Sequence, residues 1–166
     1  GEGSALFLLS REPGEISIAG WGESSDGYHI SAPDPEGNGG EVAIKSALNM
    51  ANKRCSEIDY INLHGTGTNH NDSMESKLIS RMGFGCPVSS TKALTGHTLG
   101  AAGAIEAAIS CLAMNGDGYL PPHIWDEVQD PALPQLNLSS RLPTPPKVVM
   151  TNNFAFGGND PKSAII

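Results

Sequence analysis

Hydrophobic positions recur along the chain with two different spacings, and these spacings predict short strands and longer helices. Short runs of consecutive or alternating apolar residues, bounded by Gly, Pro, Asn, Asp or Ser, are typical of strands. Such runs occupy residues 5–9, 16–21, 58–64, 147–152 and 163–166, and a further run begins at Val88. Stretches with helical spacing separate several of them, so strands and helices are expected to alternate.

Three stretches carry apolar residues at the three- and four-residue spacing of a helix, namely residues 41–53, 72–81 and 98–114. In the longest stretch, one apolar face is formed by Ala101, Ile105, Ala108, Ile109 and Leu112. Near its start, residues 100–104 are all Gly or Ala. Because Gly weakens a helix by about 1 kcal/mol relative to Ala, we expect a closely packed neighbour to compensate there. The order β-β-α-β-α-β-α-β-β predicts an α/β fold with helices packed on a mixed sheet.

Two longer stretches lack a regular spacing. Residues 22–38 are rich in Ser, Gly, Pro and Asp and are predicted to form a loop. Residues 121–146 hold many of the 12 prolines, but they also contain Trp125 and several Leu. We therefore expect an ordered surface excursion rather than a linker. A length of 166 residues fits a single domain with a sizeable core.

Composition narrows the classes of function. A net charge of −8 argues against binding to nucleic acid or to an anionic membrane surface, because both need a basic face. The sequence contains no run of about 18 apolar residues of the kind that spans a bilayer. Three cysteines without a CxxC pair argue against a disulfide framework or a zinc site, and favour the reducing cytoplasm.

Polar motifs follow three of the predicted strands. The sequence HGTGT lies at residues 64–68, STKALTGH at 90–97 and NFAFGG at 153–158. Since sites in open α/β sheets form beyond the carboxyl ends of strands, we expect these turns to meet. His97 lies where the longest helix is predicted to begin, and the helix dipole there disfavours an imidazolium. His97 is therefore expected to be neutral, and it acts either as a hydrogen-bond donor in a site or only as a helix cap.

Together, the three motifs resemble those of the β-ketoacyl synthases, the condensing enzymes of fatty-acid and polyketide assembly. They occur in the order that is typical of the family, and the resemblance covers essentially the whole chain. This chain resembles only the second half of such an enzyme. It therefore implies that residues 1–166 are the C-terminal domain, one half of a thiolase-like fold. The opening of the chain in mid-pattern, without Met, favours a fragment whose N-terminal half carries the nucleophilic cysteine.

The resemblance implies a decarboxylative Claisen condensation, in which malonyl-carrier protein loses CO2 and the resulting enolate attacks an acyl-cysteine thioester. His64 and His97 are implied to be neutral N–H donors to the enolate oxyanion, and one such donor contributes about 3–4 kcal/mol. Lys92 is implied to pair with Glu106 and to orient the histidines. An ordinary ion pair of little energetic value is the alternative for Lys92 and Glu106.

The same resemblance assigns the residues that bind the substrate. Thr66 and Thr68 are implied to hydrogen-bond the pantetheine arm, although capping of the turn is the alternative for Thr68. Phe156 is implied to be a gate for the acyl chain, and its backbone N–H a donor to the acyl oxyanion. Asp72 and Glu75 are implied to lie near the polar network of the site, with simple stabilisation of a helix start as the alternative.

The resemblance also implies the partners. They are the acyl carrier protein, the protein's own N-terminal half and a second full-length chain in a homodimer or heterodimer. No cofactor or metal is expected, because the phosphopantetheine arm arrives on the carrier. Carrier proteins are acidic, so basic residues are expected to contribute to docking. The candidates are Lys45, Lys53, Arg54, Lys77 and Arg81. Cys55, Cys86 and Cys111 are expected to be structural, so this chain alone should not condense anything.

Three other functions fit parts of the sequence. The Gly-rich start of the longest helix suggests a nucleotide site, but its spacing is neither GxGxxG nor a P-loop. His64, His70 and His97 suggest a metal hydrolase, although no HExxH motif is present. A non-catalytic docking subunit would explain the missing nucleophile. Retention of both histidines argues against the family's chain-length-factor paralogues, which lack that machinery.

Overall fold

A five-stranded mixed sheet organises the part of the chain that this computed structural model describes, residues 1–29, 32–155 and 161–166. The strands are β1 (Gly20–Glu23), β2 (Tyr60–Asn62), β3 (Val88–Ser89), β4 (Val149–Asn153) and β5 (Lys162–Ile165), in the spatial order β1-β5-β4-β2-β3. β2 runs parallel to β3 and β4, whereas β5 is antiparallel to β1 and β4. The carboxyl ends of β2, β3 and β4 therefore meet at one edge of the sheet.

Helices lie on both faces of this sheet. They are α1 (Asn38–Ala51), α2 (Asn69–Arg81), the short α3 (Lys92–Thr95) and α4 (Ala102–Met114). Single 3₁₀ turns form at Cys55–Glu57 and Leu99–Ala101. The arrangement confirms the predicted α/β class. α1 and α2 each begin slightly before their predicted positions, and α4 begins slightly after, because the 3₁₀ turn occupies its expected first turn.

The face covered by α1 and α2, called the outer face, is sealed by an apolar cluster. Ile44 of α1 and Leu78 of α2 pack on Ile61 and Met150 of the sheet, and all four are buried. At β1 the helix α1 lies so close that a Cβ on Gly22 would come within 2.0 Å of the Ala43 carbonyl oxygen. Burial of each such side chain contributes about 1.5–3 kcal/mol, so this cluster fixes the strands that carry the motifs.

The opposite, inner face is covered only in part, by α4. The residues of α4 that are buried are Ala102, Glu106, Ser110 and Ala113. The five residues of the predicted apolar face are not among them, since four are only half-buried and Leu112 is 71% exposed. The physical reason lies in the sheet below, where Asn62 and Thr151 present polar side chains. Small and polar residues of α4 meet that surface, and its large apolar residues point elsewhere.

The beginning of the chain also differs from the prediction. Residues 1–19 form no regular structure, so the strand predicted at residues 5–9 is absent from the described chain. Leu6 and Leu8 are 99% and 97% exposed. The strand predicted at residues 16–21 forms only from Gly20 onward, where β5 is available as its partner. An apolar run needs a neighbouring strand to become a strand itself, and this one has none within the described residues.

The stretch after α4 is an ordered surface excursion, as predicted. An isolated bridge joins Tyr119 to Arg141, and the guanidinium of Arg141 lies 4.0 Å from the centroid of the Tyr119 ring. Farther along, Leu136 and Leu138 pack against the outer core. The backbone N–H of Val88 donates to the carbonyl of Asn137 at 2.8 Å. The excursion is thereby anchored to the β3 edge of the sheet.

Candidate active site

His64 follows the end of β2, and a single carboxylate holds its turn. The backbone N–H groups of His64 and Gly65 donate to the two oxygens of Glu75, at 2.9 Å and 2.8 Å. The amide of Asn152 donates more weakly to the same carboxylate, at 3.5 Å. Burial raises the pKa of Glu75 to about 7, although these donors and the Lys92 charge lower it. The predicted supporting residue Glu75 is therefore an anchor of the His64 turn.

Lys92 and Glu106 form the predicted ion pair, and it is buried rather than exposed. The Lys92 ammonium donates to Glu106 Oε1, and only 4% and 2% of the two side chains are exposed. Burial raises the pKa of Glu106, while the neighbouring ammonium lowers it. Such a pair leaves an uncompensated buried charge if one partner is removed. The pair joins the turn after β3 to the inner face of α4.

The two histidines meet although they are far apart in the sequence. The centroids of the His64 and His97 rings lie 5.3 Å apart, and the rings are nearly perpendicular at 83°. The ring of Phe154 lies 5.6 Å from that of His64 on another side. Phe154 is buried in the core. The expectation that the strand ends would bring both imidazoles together is thus met by the geometry.

Both imidazoles are held neutral at physiological pH. Burial, followed by the Lys92 charge and His97, lowers the pKa of His64 to about 3. Burial and the same Lys92 charge also lower the pKa of His97 below its usual value. The backbone N–H of Leu99 donates to His97 Nδ1 at 3.1 Å, so the proton of the neutral ring lies on Nε2. His97 therefore caps the turn before α4 through Nδ1, as one alternative predicted, and its role as a donor through Nε2 stays a prediction.

His97 lies between two cavities. The larger is an open groove of about 760 Å³ on the inner face, which His64, Thr151 and Asn153 also line. Its wall on the helix side consists of small residues, including Gly103. The smaller cavity has a volume of about 440 Å³ and reaches from the histidine turn to the excursion after α4. A reactant in the groove would therefore face two neutral imidazoles and a surface that admits a close backbone.

The other predicted site residues surround the smaller cavity. Thr66 and Asp72 line it, and the hydroxyls of Thr66 and Thr68 lie 2.9 Å apart. Thr68 precedes α2 without capping it, and its hydroxyl is bonded to that of Thr66 within the turn, so its binding role stays a prediction. Asp72 accepts a hydrogen bond from the neighbouring Asn71 amide at 3.1 Å. Phe156 lies outside the described residues, and its roles stay predictions.

One residue of this region was not predicted. His123, on the excursion, accepts the backbone N–H of Ser90 at its Nδ1, at 3.1 Å. It lies in a stretch without hydrophobic periodicity, directly after two prolines. Nothing in the local pattern indicates that this stretch folds back onto the turn after β3, so only the three-dimensional structure reveals the contact.

The cysteines and His70 do not join the site. All three cysteines are free thiols whose pKa is raised by burial, to about 12 for Cys86, which fits the predicted structural role. His70 is exposed on the first turn of α2. Within the described ranges, no group of three or more His, Cys, Asp or Glu side chains is arranged to hold a metal ion.

No helix in the described part of the chain is both long and apolar enough to cross a membrane.

The described chain combines a mixed α/β fold with two neutral histidines that adjoin at the wall of one groove. Residues 16–125 match the family described as "Beta-ketoacyl synthase, C-terminal domain". The chain belongs to this family, which confirms the resemblance seen in the three motifs.

Curated relatives agree with this assignment. A 3-oxoacyl-(acyl-carrier-protein) synthase 2 from Coxiella burnetii is 40% identical over 86% of this chain and 36% of its own length. The enzyme of the same name from Staphylococcus aureus is 38% identical over 96% of this chain and 43% of its own length. The chain thus spans less than half the length of these relatives.

Solved structures give the same result. The ketosynthase ApeO from Xenorhabdus doucetiae, determined in complex with its chain length factor ApeC, is 47% identical with a TM-score of 0.86. The match covers 94% of this chain and 40% of that one. A β-ketoacyl synthase from Burkholderia phymatum is 36% identical with a TM-score of 0.80, over 89% of this chain and 36% of its own.

Proposed function

We propose that this chain is the C-terminal half of a 3-oxoacyl-carrier-protein synthase, which joins a malonyl unit to an acyl thioester with loss of CO2. The observation that carries the proposal is the approach of the His64 and His97 rings to 5.3 Å, both neutral, at the wall of one groove. The product belongs to fatty-acid, polyketide or aryl-polyene synthesis.

The chemistry requires donors that carry no charge. When the malonyl thioester loses CO2, the electrons of the broken C–C bond move to the thioester oxygen and form an enolate. N–H groups of His64 and His97 stabilise that oxyanion, whereas an imidazolium would hold the departing carboxylate in the ground state. The enolate carbon then attacks the acyl thioester carbonyl, and the cysteine thiolate leaves. Each donor contributes about 3–4 kcal/mol to the transition state.

Other residues position the donors and the substrate in this proposal. Burial is the main cause of the lowered pKa of both histidines, and the ammonium of the buried Lys92–Glu106 pair lowers it further. Thr66 and Thr68, near the mouth of the smaller cavity, bind the pantetheine arm of the carrier. Phe156 gates the acyl chain. Apart from that arm, which comes with the substrate, the reaction uses no cofactor.

A second segment must supply the nucleophile, because none of the three described cysteines adjoins the histidines and all have raised pKa values. We propose that the N-terminal half of the same protein fills this role by packing on the inner face. Leu99 and Leu112 of the α4 region, 72% and 71% exposed, and Trp21, 58% exposed, offer an apolar surface for it. The relatives, more than twice as long, have room for such a half.

The proposal also includes the pairing of complete chains into a dimer. A cytoplasmic location is part of it as well, because free thiols fit a reducing compartment.

The acyl carrier protein is the proposed partner for docking, as in the solved complex of a type II polyketide acyl-carrier protein with its ketosynthase, 29% identical with a TM-score of 0.80. Four of the five basic candidates pair with a carboxylate of this chain, and the fifth, Lys77, is exposed on α2. Lys45 and Arg81 pair with Glu41, and Arg54 pairs with Glu57. We therefore place the main docking surface on the N-terminal half.

The test is decarboxylation of malonyl-carrier protein by the complete enzyme. His64→Ala and His97→Ala should each slow CO2 release about 100- to 1,000-fold, while acyl transfer to the nucleophilic cysteine remains measurable. His70→Ala removes a histidine outside the site and should leave the rate unchanged. Normal decarboxylation in both site variants would contradict the proposal.

The alternative is a non-catalytic partner subunit of a condensing-enzyme heterodimer. It rests on the absence of a nucleophile near the described histidines. The same assay separates the two functions, because a docking subunit would change decarboxylation only through its partner. Retention of two neutral imidazoles at one groove favours the catalytic function.

A further inference from the structure

The excursion after α4 reaches the site through one side chain. His123 Nδ1 accepts the backbone N–H of Ser90 at 3.1 Å, and the two residues are 33 positions apart. The ring of His123 is half-buried in the smaller cavity, with its centroid 6.4 Å from that of Trp125. A loop that served only to cover the core would not need a polar side chain at this position, because Leu136 and Leu138 already pack on the core.

Ser90 is the junction between the two turns that carry the site. Its hydroxyl donates to the Gly65 carbonyl at 2.6 Å and accepts the backbone N–H of Lys92 at 3.3 Å. The contact with Gly65 is tight, since a Cβ on Gly65 would lie 2.5 Å from the Ser90 Cβ. The position of Ser90 therefore sets the spacing between the His64 turn and the turn that leads through Lys92 to His97.

The hydrogen bond from Ser90 requires that His123 Nδ1 carries no proton. Burial lowers the pKa of His123, which favours that state, while the Asp72 carboxylate raises it. The other ionisable groups that line the same cavity are Glu75, Lys92, His97 and Asp130. An acceptor at Nδ1 places the proton of the neutral ring on Nε2.

We propose that His123 is a positioning residue of the condensing site, which holds Ser90 and through it the separation of the His64 and Lys92 turns. Its kinetic consequence rests on the proposed function, but the contact itself does not. A displacement of catalytic groups by about 1 Å can slow an enzyme about 100-fold, so the loss of this anchor should lower kcat more than it raises KM.

Two substitutions separate the anchor from simple packing. In His123→Asn, the side-chain oxygen takes the place of Nδ1 as acceptor, whereas His123→Leu fills a similar volume without an acceptor. In the complete enzyme, we expect His123→Leu to lower kcat for malonyl-carrier decarboxylation about tenfold at an unchanged KM. His123→Asn should stay within about twofold of the wild type. Gln135→Leu is the matched control, because Gln135 is exposed on the same excursion and is not among the residues that line the smaller cavity.

Amide hydrogen exchange of the same enzymes tests the contact without any activity. The Ser90 amide should exchange faster in His123→Leu and stay protected in His123→Asn, while the Val88 amide, bonded to Asn137, stays protected in both. Unchanged Ser90 exchange in His123→Leu would overturn the proposal, as would a His123→Asn enzyme that behaves like His123→Leu. A wild-type enzyme that does not decarboxylate would refute the proposed function instead, and the exchange result would still decide the role of His123.

Discussion

The two faces of the sheet differ in how fully other elements cover them. On the outer face, Ile61, Met150 and Ile165 lie side by side on three strands, and α1 and α2 bury them fully. On the inner face, the next position along the same strands carries Asn62 and Thr151. Their side-chain polar atoms are buried without a hydrogen-bond partner among the described residues. One face is a finished core, whereas the other is polar and partly open.

This difference separates the source of stability from the source of function. Apolar burial on the outer face fixes the strand ends, and the site forms where those ends meet the unfinished inner face. Buried polar atoms without partners are unfavourable, so a chain tolerates them where they serve a site or meet a further partner. We therefore expect substitutions on the outer face to change stability, and substitutions on the inner face to change chemistry and assembly.

The buried ion pair is the exception on the inner face, and its loss should have the largest effect on stability. Lys92→Ala leaves the Glu106 charge buried and unpaired, so the free energy of unfolding should fall by about 3–5 kcal/mol. Urea denaturation measures this change. The double variant Lys92→Met/Glu106→Leu should recover most of the loss, because it removes both charges and keeps volume. Equal losses in the single and double variants would contradict this account.

A pair of leucines tests the two faces directly. Leu78 is fully buried on the outer face, so Leu78→Ala should lower the free energy of unfolding by about 2–5 kcal/mol. Leu112 is largely exposed on α4, so Leu112→Ala should change it by no more than about 0.5 kcal/mol in this chain. Denaturant titration of both variants gives the comparison. A large effect of Leu112→Ala in the isolated chain would mean that the inner face is already covered.

Glu75 should give a smaller effect that depends on pH. Its pKa of about 7 in the folded chain exceeds the ordinary value of 4.5, so the folded state binds more protons between these values. The free energy of unfolding contributed by Glu75 should therefore fall as pH rises through this window, by at most about 1.4 kcal/mol per pH unit. Glu75→Gln should remove this slope. Denaturation of the wild type and of Glu75→Gln at several pH values measures both slopes. Identical slopes would contradict the raised pKa of Glu75.

The sequence predicts β2 and β4, which carry the site, because the apolar runs that form them find their neighbouring strands and covering helices within this chain. The runs at residues 58–64 and 147–152 contain β2 and most of β4, which are parallel neighbours, and HGTGT follows β2 directly. The convergence of His64 and His97 then follows from a general property of α/β sheets. Local pattern and global fold agree at these elements.

The failures have a common physical cause. Spacing reveals which residues are apolar, but it does not reveal what covers them. Residues 5–9 were predicted to form a buried strand, yet all of them except the half-buried Ala5 are exposed, and so is Leu112 of the apolar face of α4. The contact between His123 and Ser90 was not predicted, because a hydrogen bond between residues 33 positions apart leaves no periodic pattern in the sequence. Phe156 was predicted from a motif alone and lies outside the described residues.

The central claim is that His64 and His97 are uncharged donors beside one groove. Nitrogen-15 NMR of the imidazoles, followed from about pH 8 down to about pH 5, tests it most directly. We expect His64 to remain neutral throughout, as its pKa is about 3, and His97 to carry its proton on Nε2 with a pKa below the usual 6.5. Protonation of either ring at or above pH 6.5 would contradict the account.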